Sequence, residues 1–198
     1  MCAGLYFVNS EEDAATDLQE SSQNSHELIQ AGPPPCPAGT AWNPGTRNCD
    51  VCPAGTYAGP GSIKCTPCPC GQTSGRRAGV CSKCPLGQYQ DATGKTRCKA
   101  CERGTYADVP GLCKCKECAC GTIAAGKGAT KCDKCPPGQD QKKTGMTVCN
   151  KCKKGSYADQ PGTCKCKKCP CGTIAAADGA IKCDKCPAGK DQKRKRRA

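Results

Sequence analysis

Cysteines recur at a fixed spacing along almost the whole chain, and this repeat limits the possible folds more than any other feature. All but one of the 25 cysteines follow Ala31. The repeated unit is a Cys, often a Pro, one further residue, a Gly, about ten polar residues and then C-x-x-C, whose second Cys opens the next unit. About ten units follow one another with a period of 16 or 17 residues. Such self-similarity predicts a stacked array in which each unit depends on its neighbours.

Three consecutive units form a longer repeat of about 50 residues. Its copies begin at Cys52, Cys101 and Cys152, and residues 101–142 match residues 152–193 at most positions. Recent duplication is the simplest explanation. The super-repeats span 52–100, 101–151 and 152–186.

Large apolar side chains are too few for an ordinary hydrophobic core. The chain has 24 Val, Ile, Leu, Met, Phe, Trp and Tyr residues, of which 16 serve the 163 residues from Cys36 onward. Burying one such side chain contributes roughly 1.5–3 kcal/mol, whereas ordering each residue costs about 1.5 kcal/mol. A disulfide that closes a loop of about 15 residues contributes roughly 3 kcal/mol. Cross-linking is therefore predicted to be the main stabilising factor, in an oxidising compartment.

Charge is divided sharply along the chain. Residues 1–35 carry six acidic residues and no basic one, whereas residues 36–198 carry all 30 Lys and Arg with 11 acidic residues. The polar, acidic first segment is typical of disorder. We expect three regions: an acidic tail with a Pro-rich spacer (1–35), the repeat array (36–186), and a truncated unit with a basic tail (187–198).

The N-terminus lacks the pattern of a signal peptide, because it has no basic n-region and an apolar stretch of only about six residues. The unit that opens at Cys186 stops at Ala198. These features suggest a fragment of a longer protein, export by another route, or retention in the cytosol with reduced thiols. No apolar run approaches 18 residues, which predicts no membrane span.

Three interpretations of the cysteines are open from the sequence. In the first, each unit closes its own loop by joining its opening Cys to the first Cys of its C-x-x-C. A crossed pattern, in which the first Cys pairs with the third, also fits the spacing. The nine within-unit pairs would be Cys36–Cys49, Cys52–Cys65, Cys68–Cys81, Cys84–Cys98, Cys101–Cys115, Cys118–Cys132, Cys135–Cys149, Cys152–Cys166 and Cys169–Cys183.

Further cysteines occur in register between the super-repeats. Cys113 and Cys120 occupy the same places in one copy as Cys164 and Cys171 in the next, so each couple is expected to bridge adjacent units. Cys70 is in register with Cys120, but Ile63 occupies the position where its bonding partner is expected. Cys70, Cys186 and Cys2 are therefore left without an expected partner.

The second interpretation is metal binding. The spacing of Cys49, Cys52, Cys65 and Cys68 is that of a zinc ribbon, and four thiolates bind zinc in a reducing cytosol. The clusters at 113–120 and 164–171 also resemble the Lys-flanked clusters of metallothioneins, since a neighbouring Lys lowers the pKa of a thiol.

The third interpretation is thiol redox catalysis, which requires one distinctive C-x-x-C pair rather than nine near-identical ones. His26 is the only histidine, and no other catalytic set is evident. The sequence therefore predicts no enzyme activity and no cofactor.

Lysines flank the unit-ending C-x-x-C at matched positions, so the array is expected to repeat them at intervals. They form either a solvated surface or a line of positive charge for an anionic polysaccharide. Nucleic acid is an unfavoured partner, because no recognition helix or aromatic stacking platform is evident. The candidate surface-binding residues are Lys83, Lys131, Lys134, Lys182 and Lys185.

The motifs CPAGTY (52–57) and GSIKCTPCPCG (61–71), with CERGTY and CKKGSY later, resemble ephrin-receptor-like cysteine-rich repeats of the growth-factor-receptor cysteine-rich superfamily. These repeats are also similar to tumour-necrosis-factor-receptor modules. The resemblance implies an elongated extracellular or cell-surface rod that serves as a spacer or adhesion surface.

Together these features predict a small disulfide-rich repeat array of short β-hairpins and turns, with little helix and a minimal hydrophobic core. We expect a structural, adhesive or binding module whose partner is a protein or an anionic polysaccharide. The alternative is an intracellular thiol-rich zinc-binding or metallothionein-like protein.

Overall fold

A computed structural model describes residues 34–186. The predicted acidic tail before Pro34 and the basic segment 187–198 lie outside the described residues, as do Cys2 and His26. The units are numbered 1 to 9 below, and they open at Cys36, Cys52, Cys68, Cys84, Cys101, Cys118, Cys135, Cys152 and Cys169.

Each of these nine units folds into one antiparallel two-stranded hairpin, and no hairpin extends the sheet of another. No helix occurs between residues 34 and 186, so the predicted class of short hairpins and turns is confirmed. The strands pair in chain order: β1 (Thr40–Asn43) with β2 (Asn48–Val51), β3 (Thr56–Tyr57) with β4 (Thr66–Pro67), β5 (Gln72–Thr73) with β6 (Ser82–Lys83), β7 (Gln88–Tyr89) with β8 (Lys99–Ala100), β9 (Thr105–Tyr106) with β10 (Lys116–Glu117), β11 (Thr122–Ile123) with β12 (Asp133–Lys134), β13 (Gln139–Asp140) with β14 (Asn150–Lys151), β15 (Ser156–Tyr157) with β16 (Lys167–Lys168), and β17 (Thr173–Ile174) with β18 (Asp184–Lys185).

A tight turn at the start of each unit sets the direction of its first strand. In unit 5 the Gly104 backbone has φ +81°, a left-handed conformation that favours glycine. The Thr105 N–H then donates to the Glu102 carbonyl at 3.0 Å, and the Thr105 hydroxyl donates to the same carbonyl at 2.7 Å. The sequence motif C-x-x-G-T is therefore a turn whose backbone acceptor is satisfied twice.

The apolar part of the buried interior consists of disulfide sulfur and small side chains. The opening Cys of each of units 1 to 8 is 0–1% exposed, and the buried apolar side chains among the described residues are otherwise alanines. Large apolar residues such as Ile63, Val80 and Val148 are 59–73% exposed instead. The predicted minimal hydrophobic core is confirmed.

Each unit is hydrogen-bonded to the next one along its backbone. At the junction of units 5 and 6, the Gly104 N–H donates to Ala124 O at 2.8 Å, and the Gly128 N–H donates to Cys101 O at 2.7 Å. The Ala107 N–H also donates to Ala129 O at 3.0 Å. The same three bonds join units 7 and 8, which shows that the stacking is periodic.

Units that are two apart also touch, through the glycine of the opening turn. A Cβ atom on Gly104 of unit 5 would overlap the carbonyl oxygen of Gly145 in unit 7. The same overlap would occur between Gly71 of unit 3 and Gly111 of unit 5. Glycine therefore allows the left-handed turn and also the close approach of the next unit but one.

Candidate functional site

Nine disulfides close the nine units internally. Their Cα–Cα distances are 5.5–5.8 Å, within the usual range for a disulfide. They join Cys36–Cys49, Cys52–Cys65, Cys68–Cys81, Cys84–Cys98, Cys101–Cys115, Cys118–Cys132, Cys135–Cys149, Cys152–Cys166 and Cys169–Cys183, the same pairs as in the first interpretation of the sequence.

Two further disulfides join units that are two apart, which differs from the expectation that Cys113 pairs with Cys120. Cys70 of unit 3 is bonded to Cys113 of unit 5. Cys120 of unit 6 is bonded to Cys164 of unit 8. Each bond lies beside an opening-turn glycine that contacts the next unit but one, and this contact brings the two sulfur atoms together.

Cys171 and Cys186 are the free cysteines of the described residues, so the expected bond between Cys164 and Cys171 is corrected. Cys171 is exposed and is in register with Cys120, whose partner follows it by 44 residues.

Except for Cys171 and Cys186, the cysteines of the described residues form disulfides rather than metal sites. No group of three or more His, Cys, Asp or Glu side chains between residues 34 and 186 is arranged to hold a metal ion. Of the zinc-ribbon set, Cys52 and Cys65 are bonded to each other, and Cys49 and Cys68 are bonded elsewhere. The cysteines of cluster 113–120 are likewise bonded to four different segments.

A Tyr, a Lys and an Asp recur together on three of the hairpins. In unit 5 the Lys116 ammonium lies 2.8 Å from the Asp108 carboxylate and 6.0 Å from the centre of the Tyr106 ring. The hydrogen bond from Lys116 lowers the pKa of the Asp108 carboxyl and raises the pKa of Lys116. Because the carboxyl pKa is lowered, any stabilisation is present at neutral pH and is lost as the pH falls through that pKa. Both side chains are exposed, so the contribution is small.

The candidate surface lysines do not form one uniform row. The stems of Lys83 and Lys134 lie across Gly111 and Gly162, each two units further on, so these two lysines also pack. The Lys182 ammonium lies 3.8 Å from the Asp184 carboxylate. Lys131 and Lys185 are exposed. A binding role for the five residues stays a prediction.

The structure brings together a different set of lysines, around a pocket of about 550 Å³ at units 7 and 8. Asp140, the last residue of β13, and Gln141, which follows it, lie in the pocket wall and are 5% and 2% exposed. No single sequence motif reveals this set of lysines. The set becomes visible only when two copies of the super-repeat are compared, because the residues 51 positions earlier are mostly acidic or apolar. The pocket lysines are Lys142, Lys143, Lys151, Lys153, Lys165 and Lys168.

The nine hairpins and eleven disulfides of the described residues define a disulfide-rich cysteine repeat array. Residues 71–111 match the family model described as "Tyrosine-protein kinase ephrin type A/B receptor-like". This segment is therefore similar to an ephrin-receptor-like cysteine-rich repeat, which confirms the resemblance seen in the motifs. The matched segment runs from Gly71 to Gly111, the two glycines that meet between units 3 and 5. No curated protein matches the chain significantly.

The match and the disulfides point to an extracellular location. Along residues 34–186, no helix has the length and apolarity needed to cross a bilayer.

Proposed function

We propose that the chain acts outside the cell as a non-enzymatic spacer or adhesive module that binds a protein or an anionic polysaccharide. The observation that carries this proposal is the replacement of a hydrophobic core by disulfides. Eight opening cysteines are 0–1% exposed, whereas seven large apolar residues of the described segment are exposed. Such an interior persists only where thiols stay oxidised.

The hairpins support a structural or binding role because they repeat one backbone pattern and leave the exposed side chains free to vary. Small residues such as Ala107 and Ala124 are buried between units, whereas strand residues such as Lys116 and Lys134 are exposed. Repetition of a hairpin provides length and surface without a preformed catalytic cleft. The domain division at 36–186, and the spacer role itself, are part of the same proposal.

Accessibility on intact cells tests the location. Cells that make the protein are treated with a protease and a membrane-impermeant maleimide, and cysteines are trapped by acid quenching before lysis. We expect the array to be cleaved or recovered from the medium, with its disulfides already formed in the quenched sample. A protein that is protected in intact cells, absent from the medium and fully reduced after quenching would contradict the proposal.

A further inference from the structure

In the wall of the pocket at units 7 and 8, a small acid occupies a position of the repeat that is aromatic in four other units. Position six of the unit is tyrosine in units 2, 4, 5 and 8, and in unit 4 this residue is Tyr89. In unit 7 the same position holds Asp140, 51 residues later. The Asp140 carboxylate accepts a hydrogen bond from the Cys166 backbone N–H at 2.9 Å. The Asp140 side chain therefore joins units 7 and 8 and lies in the wall of the pocket.

Charge at this place differs strongly between the two copies of the super-repeat. The pocket is lined by six lysines and the single acid Asp140. The residues 51 positions before Lys142, Lys153 and Lys168 are all acidic: Asp91, Glu102 and Glu117. At the earlier place these three acids are balanced by Lys95, Lys99 and Lys114. The positive field is therefore particular to units 7 and 8 and does not follow from the repeat.

Most of the pocket lysines are available to a ligand. Of the six pocket lysines, only Lys153 forms an ion pair within residues 34–186, with Asp178 at 3.4 Å, and its side chain is 86% exposed. The buried polar groups of the wall are already satisfied. The Gln141 amide N–H donates to Val148 O at 2.7 Å, and its carbonyl oxygen accepts from the Lys143 backbone N–H at 3.1 Å. The buried polar groups of the wall are therefore already hydrogen-bonded, and the lysine ammonium groups remain available to bind an anion.

We propose that this pocket, lined by Asp140, Lys142, Lys143, Lys151, Lys153, Lys165 and Lys168, binds a sulfated segment of an anionic polysaccharide. Lysine ammonium groups attract sulfate and carboxylate as point charges, and a pocket of about 550 Å³ lies within the size range of small-ligand sites. Asn150 and Ser156 in the lining provide neutral polar groups for sugar hydroxyls. No aromatic ring lines the pocket, which disfavours a stacked nucleobase.

The choice of a polysaccharide rests on the proposed extracellular function, whereas the anion site itself does not. A heparin-derived hexasaccharide is titrated into the oxidised protein by calorimetry at 0.15 M salt, where surface charges beyond about 8 Å are screened. The first variant is Lys142→Asp/Lys153→Glu/Lys168→Glu, which installs the residues of the earlier copy. The matched control is Lys64→Glu/Arg76→Glu/Arg97→Glu, an equal charge change at exposed residues far along the chain.

A second variant, Asp140→Tyr, separates the pocket from general charge. It places in the pocket wall the ring found at this position in unit 4, and it also removes a negative charge. Attraction by net charge alone would make its binding tighter, whereas a pocket site makes it weaker. Alkylation of free thiols in each variant, compared with the original protein, checks that the disulfides have formed.

We expect the pocket triple variant to bind at least tenfold more weakly, Asp140→Tyr about fivefold more weakly, and the control within about twofold of the original protein. Equal losses in the triple variant and its control would overturn the proposal, as would unchanged or tighter binding by Asp140→Tyr. A single-stranded oligonucleotide of equal charge is the competitor. If it binds as tightly as the hexasaccharide, the polysaccharide assignment fails. If the pocket proposal fails in these assays, the result of the accessibility experiment on intact cells is unchanged. The proposed extracellular function therefore stands or falls separately.

Discussion

At the scale of single residues, glycine has two separate roles in the opening turn. Gly104 has φ +81°, and its α-hydrogen faces the Gly145 carbonyl two units on. Gly61 has a similar φ of +72°, but no atom lies within 4 Å of the place a Cβ would take. A comparison of substitutions at these two residues therefore separates the free-energy cost of a left-handed backbone from the cost of a blocked contact between units.

We predict that Gly104→Ala destabilises the array clearly more than Gly61→Ala. The left-handed conformation costs each alanine about 1–2 kcal/mol, and only the Cβ at residue 104 also meets a backbone carbonyl. Denaturant unfolding of both variants with intact disulfides measures the difference. Equal losses of stability would show that the contact between units 5 and 7 is not tight.

At the scale of the element, a hairpin is closed by its own disulfide and is tied to others by the cross-unit bonds. Cys70 and Cys113 are 43 residues apart, against 13 residues for Cys52 and Cys65. The longer separation alone would raise the entropic stabilisation from roughly 3 to roughly 4 kcal/mol. However, the within-unit bonds Cys68–Cys81, Cys84–Cys98 and Cys101–Cys115 shorten the path from Cys70 to Cys113 to only about 14 residues. The advantage of the long loop is therefore removed.

We predict that Cys70→Ala/Cys113→Ala costs no more stability than Cys52→Ala/Cys65→Ala. Both bonds close effective loops of similar length, but Cys52 is fully buried and its sulfur also packs, whereas Cys113 is exposed. Hydrogen exchange of the backbone amides in units 2 to 5 measures the loss locally. A larger loss in the cross-unit variant would mean that the bond from unit 3 to unit 5 dominates the stacking.

At the scale of the whole molecule, the disulfides stabilise the array cooperatively with backbone hydrogen bonds between units. Within residues 34–186, the thiols of Cys171 and Cys186 are free, and 22 cysteines are bonded. Small side chains and exposed strands leave little apolar burial to replace those bonds.

We predict that reduction of all disulfides unfolds units 1 to 9, whereas a chelator without reductant changes nothing. Before reduction, alkylation and peptide mapping should label Cys171 and Cys186 among the described cysteines. The protection of backbone amides, as measured by hydrogen exchange, should disappear after reduction. Opening the disulfides restores the conformational entropy of the unfolded chain and so favours unfolding. Persistent protection with every bond open and no metal present would contradict the fold as described.

The sequence by itself predicts the unit, its opening turn and its hairpin, and it limits the closing disulfide to a within-unit or a crossed pairing. The loop from Cys101 to Cys115 is short, and the turn at Gly104 is set by residues next to it, so both are encoded within one repeat. Only the tertiary structure decides which units touch. The bonds from Cys70 to Cys113 and from Cys120 to Cys164 depend on the approach of units two apart, which the spacing along the chain does not express. The basic pocket beside Asp140 likewise appears only when units 7 and 8 stack, because its lysines come from both.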